Sequence, residues 1–365
     1  MIFLFYDSFC FNFFRNNILS SNLKYKVLIR ISLDKFSISI NDTDIKFFNE
    51  KIQYSKNNIL NLFLYPFHLI GIFLYIFSII KKIKEKKVVE YVYLEGFIIF
   101  LSGLITIKLL RLKNVKLIYF CGDWFEPKNS LSSKIFCKLF YASDKIILKN
   151  EHKSFYFSEL IKKKRSDHNN INLKGEILPV LYDLNNSSNE KNKRDIAIIG
   201  NFKIHIELYN FIKNYNNYLY SNNIKIHLFG PSSKNKVFFL NQLKKDKLNN
   251  LIIDHGFFDR KKLNENLKSC IIGLNLITSD DVYSKNSINA RTVDYISNFL
   301  IPITNIQNTT TSNFLISNKL GYIIKNNSPK SIFEAILFIR CNYSLYHESN
   351  LVLYSKIKSY NFLNV

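Results

Sequence analysis

Four short stretches of this chain combine residue types that handle phosphate and flat-ring ligands. Gly200-Asn201-Phe202-Lys203 closes the apolar run Asp195-Ile196-Ala197-Ile198-Ile199. A glycine at such an end lets the backbone approach a ligand closely, and Lys203 offers a charge to a phosphate. Gly230-Pro231-Ser232-Ser233 closes a second apolar run. His255-Gly256-Phe257-Phe258 closes a third and leads into a helical segment beside which a base ring can rest. The fourth is the polar stretch 278–289, which runs into Ala290-Arg291-Thr292-Val293-Asp294-Tyr295. There Arg291, Thr292 and the free amides of a helix start suit a diphosphate. In the first half, Asp123 follows the run Ile118-Tyr119-Phe120-Cys121-Gly122, and Glu95 ends the preceding strand. A carboxylate at a strand end can orient a hydroxyl or take its proton.

Each of these residues also has a plainer reading. Asp294 reads as an acid on the surface of an amphipathic helix, Arg291 as a helix-start cation, and Asp123 as a cap on the turn before Trp124. Lys203 and Lys285 are lysines in a lysine-rich chain, and Trp124 suits packing better than sugar stacking. No two histidines form an H-x-x-x-H pair, and no D-x-D pair suited to a metal-bridged diphosphate is present.

The elements that must position these groups alternate. After Asp195–Ile199, the residues Leu208, Phe211, Ile212, Tyr215 and Leu219 fall at helical spacing and form one apolar stripe. Further strands are expected at 224–229, 251–253, 271–277, 300–304 and 320–324, with helices over 259–269 and 289–298. Ser328-Pro329 opens another helix, with Ser as N-cap and Pro in the first turn. Strand and helix alternating in this way specify a parallel sheet covered on both faces. Ligands of such sheets bind beyond the carboxyl ends of the strands, where all four stretches lie. The first half alternates less cleanly. Strands are expected at 1–6, 26–31, 88–94, 117–120 and 145–148, helices at 96–111 and 133–141, and a basic loop over 162–174.

The stretch from His255 to Ile303 resembles the nucleotide-sugar half of the group-1, or family-4-like, glycosyltransferases. That family carries a loop and helix reading roughly K-x-x-E-Y-L-x-x-G-x-P-V. Here Asp294 stands at the acid, Tyr295 at the aromatic and Pro302 at the proline before the next strand. Departures are Phe299 or Asn298 in place of the glycine, Asp in place of Glu, and Asn286 in place of a second Glu. The family's glycine-rich acceptor loop is also missing. Asp123 matches the acid of a family strand end that often reads H-D, with Gly122 in place of the His.

The resemblance implies a GT-B arrangement: two Rossmann-like parallel-sheet domains facing across a cleft. It also implies a last helix packing back on the first domain. Asp294 would bond the ribose, and Gly200, Lys203, Gly230, Phe257, Arg291 and Thr292 would complete a donor site. Asp123 and Glu95 would be the catalytic carboxylates. The donor would be a nucleotide-diphosphate sugar and the acceptor a glycan or lipid-linked hydroxyl. No cofactor or metal is expected, since basic side chains and a helix dipole neutralise the leaving diphosphate. A sugar-nucleotide epimerase shares the fold and is the main alternative; a catalytically silent membrane- or partner-binding relative is another.

Bulk properties set the frame. At 365 residues, 47% hydrophobic and 22% charged, the chain is a folded protein of two moderate domains rather than a disordered one. The expected division is 1–184, a linker at 185–194, 195–345, and a returning helix at 346–365. A net charge of +23 favours polyanions. An RNP-type signature, zinc-finger spacing and basic heptads are all lacking, so nucleic acid is disfavoured against an anionic membrane surface. The five cysteines are scattered, which argues for a reducing cytoplasm and against a zinc site. Run 62–80 is about as long as a bilayer span but holds Pro66, His68 and Gly71. With Lys81-Lys82-Ile83-Lys84 after it, it reads as a buried or membrane-resting helix at the inner face of the plasma membrane.

Overall fold

A computed structural model describes residues 2–6, 27–31, 36–40, 43–48, 70, 73, 74, 76–78, 80, 81, 91–95, 97–112, 115–121, 124–127, 131–156, 158–177, 193–200, 202–257, 260–278 and 288–359. Contacts divide the chain into two units, Met1–Val180 (with Asn361–Val365) and Leu181–Tyr360.

The first unit is built on an eight-stranded sheet. Its strands are β1 (Ile2–Tyr6), β2 (Val27–Ile31), β3 (Phe36–Ile40), β4 (Thr43–Phe48), β5 (Tyr91–Glu95), β6 (Lys116–Cys121), β7 (Lys153–Tyr156) and β8 (Glu176–Ile177), in the order β4-β3-β2-β1-β5-β6-β7-β8. All neighbours from β2 to β8 are parallel, as the alternating pattern requires. β3 and β4 extend the sheet as an antiparallel hairpin. The two residues between them in sequence are far too few for a parallel crossover. Helices α1 (Phe97–Leu109), α2 (Leu131–Asn150) and α3 (Glu159–Asn169) belong to this unit.

Two expectations are corrected here. The strand expected at 145–148 is the last part of α2, because Cys137, Phe140, Asp144 and Ile147 continue one buried stripe at helical spacing. The loop expected at 162–174 is largely α3, a polar helix held at both ends. Ser158 accepts from the amide of Ile161 as N-cap, and Asn170 closes the helix at φ 53°. Arg165 supplies the interior anchor: it is fully buried, bonding Asp144 at 2.7 Å, Glu151 at 2.8 Å and the Tyr156 hydroxyl at 2.9 Å.

In the run 62–80, residues 70, 73, 74, 76–78 and 80 are helical, as is Lys81. Ile76 and Ile80 enter the core beside Phe100, Leu104 and Phe140, whereas Ile70 and Leu74 are exposed. Among the described residues no helix is long and apolar enough to cross a membrane.

The second unit holds a six-stranded, wholly parallel sheet. Its strands are β9 (Asp195–Ile199), β10 (Ile226–Phe229), β11 (Ile252–Gly256), β12 (Cys270–Asn275), β13 (Ile301–Asn305) and β14 (Tyr322–Ile324), in the order β11-β10-β9-β12-β13-β14. Covering helices are α4 (His205–Ser221), α5 (Lys234–Lys245), α6 (Arg260–Asn266), α7 (Ala290–Ser297), α8 (Thr309–Asn318), α9 (Pro329–Cys341) and α10 (Tyr343–Ser359). Strand residues Ile196, Ile226, Ile272 and Ile301 are all fully buried with Leu208, Phe211 and Ile212 of α4. Burial of such a side chain contributes about 1.5–3 kcal/mol. Ser328 caps α9 as expected, accepting from the amide of Ser331 with Pro329 in the first turn. The last helix, α10, is counted with this unit and packs on α9 and β13.

Candidate functional site

In the second unit the chain lays down β9, β10 and β11 toward one edge, then crosses back to place β12 on the other side of β9. The carboxyl ends of β9 and β12 therefore diverge into the crevice where ligands of open parallel sheets bind. Tyr295 of α7 stands in that gap. Its hydroxyl accepts from the amide of Ile199 at 2.9 Å and donates to the carbonyl of Leu274 at 3.1 Å. The register between β9 and β12 ends at Gly273 and Ala197, so the phenol takes over where the ladder stops. Gly273 makes room for it: a Cβ there would lie 2.2 Å from the Tyr295 ring. With both bonds made, this hydroxyl bridges the two strand ends, and burial drives its pKa well above the ordinary value.

On the β11 side of the crevice, three glycines end three adjacent strands. Gly200, Gly230 and Gly256 have φ of 96°, 139° and 72°, conformations that favour glycine. The amide of Gly200 donates to Phe229 and that of Gly230 to the carbonyl of Gly256, both at 2.7 Å. Arg291, on the first turn of α7, lays its guanidinium against Gly200: a Cβ there would sit 2.8 Å from its Nε. A Cβ on Gly230 would sit 3.0 Å from the Gly200 carbonyl. Thus Gly200, Gly230 and Arg291 come together as a compact basic cradle of backbone and guanidinium.

Below this row lies a lysine the sequence reading did not single out. Lys236, 2% exposed, donates to the Gly230 carbonyl at 3.1 Å, pairs with Asp254 at 2.5 Å and lies over the Phe202 ring at 5.4 Å. Asp254 in turn accepts from the amide of Gly256 at 3.0 Å. One side chain therefore ties the ends of β10 and β11. Its only sequence signal is its place three residues after the capping Ser233.

The other candidates fall as follows. Asp294 lies on α7 and is 7% exposed, so the surface-acid reading is set aside. Thr292 is fully buried and its hydroxyl accepts from Asn275 at 2.6 Å, which turns its side chain into the body of the unit. Its amide still belongs to the first turn of α7, where Val293 is the first residue to bond back, to Asn289. Lys203 occupies the exposed turn before α4, and Phe257, 78% exposed, follows β11 directly. In the first unit, Glu95 ends β5 in register with Phe120 of β6. Asp123, like Lys285, lies outside the described residues. Trp124 is buried against Phe140 and Tyr141.

A second polar array crosses the same sheet. Asp195 accepts from the amide of Lys225 at 2.9 Å and bonds His227 at 3.2 Å; His227 meets His255 at 2.9 Å, and His255 stacks on Phe229. Burial acts to raise the Asp195 pKa, but the bonds from His227 and Lys225 outweigh it and hold the carboxyl below its ordinary value. Burial and the neighbouring His227 push His255 down.

No family model and no curated protein sequence matches the chain. Solved structures do. Anabaena HepE in complex with UDP and glucose superposes with a TM-score of 0.57 at 8% identity, over 96% of this chain and 92% of that one. A UDP-N-acetylglucosamine 2-epimerase gives 0.55 at 6%, over 96% and 89%. TarM gives 0.51 at 13%, over 88% of this chain and 57% of its own. These likenesses establish a GT-B-type fold of two Rossmann-like domains.

Proposed function

We propose that this protein is a glycosyltransferase, moving a hexose-type sugar from a nucleoside-diphosphate sugar to a hydroxyl of a glycan or lipid-linked acceptor. Its setting would be surface polysaccharide synthesis at the inner face of the plasma membrane. The observation that carries the reading is the Arg291 guanidinium lying on Gly200, at the end of β9 where the strand order reverses. The missing side chain of Gly200 lets the Arg291 guanidinium lie directly on the backbone, and Arg291 with the first-turn amides of α7 would meet the charge of a diphosphate. Asp294 would accept from the ribose hydroxyls, and Phe257 would flank the base. Asp123 or Glu95 would serve the acceptor hydroxyl. Charge neutralisation by these groups calls for no metal.

The test is calorimetric titration of a panel of sugar nucleotides into the full chain, followed by hydrolysis and transfer assays. A nucleoside diphosphate should bind, and Asp294→Asn should weaken it by about 1.5–3 kcal/mol, the worth of hydrogen bonds to a charged group. If no nucleotide binds, the reading is wrong. A second reading, sugar-nucleotide epimerase, is favoured by the superposition on the 2-epimerase. An isomerised sugar nucleotide formed without any acceptor would select it, and binding without turnover would select a silent relative.

A further inference from the structure

From the outward face of α2 we infer a docking surface for an anionic phospholipid bilayer. This inference rests on the membrane part of the proposed function and is independent of its nucleotide part. The exposed apolar residues of the helix are Leu131, Ile135, Leu139 and Ile146, between 46% and 74% exposed. The exposed charged residues are Lys134, Lys138, Lys145 and Lys149. At about 100° per residue the lysines fall within roughly 60° of arc, and the aliphatic residues with Ala142 fill roughly the next 80°. Two parallel stripes result, one basic and one apolar, running the length of a 20-residue helix, about 30 Å. The one acid of the helix, Asp144, is buried on the opposite side against Arg165.

A soluble face normally mixes charges of both signs and keeps aliphatic side chains inward. This face does neither. An aliphatic stripe that sinks into the acyl boundary beside lysines that stay among phosphate headgroups satisfies both stripes at once. A second copy of the chain would set lysine against lysine. Nucleic acid would leave the aliphatic stripe in water. Neighbouring α1 packs on α2 and adds exposed Ile105, Leu109 and Lys108.

The test is flotation of the full chain with vesicles of phosphatidylcholine, with and without 30 mol% phosphatidylglycerol. Binding is expected only to the anionic vesicles and should fall in 0.5 M salt. Replacing Lys134, Lys138, Lys145 and Lys149 together with Gln should lower partitioning by several hundredfold, since each lysine near such a surface contributes about fivefold. Ile135→Gln with Leu139→Gln should also release the protein, whereas Ile70→Gln with Leu74→Gln should not. All these side chains are exposed, and circular dichroism checks that the variants fold. Undiminished binding by either α2 variant overturns the inference, as does loss confined to the Ile70/Leu74 variant. So does failure to bind anionic vesicles, whether the α2 face then proves to mediate self-association or to hold nucleic acid. Nucleotide titration of the same variants reads the donor site separately and should be unchanged.

Discussion

The Nε of Arg291 lies 2.8 Å from the point that a Cβ on Gly200 would occupy. The guanidinium and the glycine backbone are therefore one surface, and a single methyl group would separate them. Gly200→Ala is expected to displace Arg291 and to strain a backbone held at φ 96°, at about 1–3 kcal/mol of stability. Nucleotide binding should weaken in this variant and in Arg291→Met, which removes the charge without touching the turn. Calorimetry on both variants checks this. Tight binding by Arg291→Met would remove the guanidinium from any part in holding phosphate.

Tyr295 makes a different claim, about the opening of the sheet. Tyr295→Phe keeps the ring packed against Gly273 but leaves the Ile199 amide and the Leu274 carbonyl without their shared partner. Losing it should lower stability by about 1–3 kcal/mol, read as a shift of the denaturant midpoint. Gly273→Ala should be worse, because its Cβ would lie 2.2 Å from the ring. A Tyr295→Phe variant as stable as the parent would mean that water satisfies both groups.

How far the site could be read from sequence depended on the kind of signal. Glycines after apolar runs mark strand ends by chemistry alone: Gly200 and Gly230 directly follow β9 and β10, and Gly256 is the last residue of β11. Asn41-Asp42 between two short apolar runs could have announced the hairpin of β3 and β4. By contrast, Lys236 and Arg165 look in sequence like any solvated cations. What sets them apart is long-range pairing, with Asp254 and with Asp144 and Glu151, which no local pattern encodes. The polar, basic stretch of α3 offers no apolar stripe and so looks like a loop in sequence; two caps and one buried arginine hold it as a helix.

Acceptor chemistry is the next expectation. Asp123 follows β6 by two residues, and Glu95 ends the neighbouring β5. If Asp123 is the general base, Asp123→Asn should lower transfer by roughly 10²–10⁴-fold and leave nucleotide affinity unchanged. Steady-state transfer rates beside calorimetry separate the two effects. Near-normal turnover would shift the role to Glu95, to be tested by Glu95→Gln.

Acid sensitivity of the second unit follows from the chain of bonds Asp195–His227–His255. In the tautomers that satisfy it, His255 Nε2–H donates to His227 Nδ1 and His227 Nε2–H donates to Asp195. Burial and His227 hold the His255 pKa below 6.5, with Asp254 opposing and Lys236 adding to the effect. Between that lowered value and 6.5 the unfolded chain binds a proton that the folded chain does not, so stability must rise with pH across this window. Asp195 acts in the same direction lower down: its folded pKa lies below 3.8, so its contribution is present above that value and is lost on further acidification. The melting temperature should therefore fall as pH drops from 7.5 to 5, and again below about 4. His255→Gln removes the first titration and should flatten the upper decline alone, while Asp195→Asn should lower stability already at pH 7. Thermal unfolding of the three proteins across pH 3.5–7.5 decides the matter. A parent protein more stable at pH 5 than at pH 7.5, with the difference abolished in His255→Gln, would reverse the sign and with it the assignment of His255 as the neutral donor.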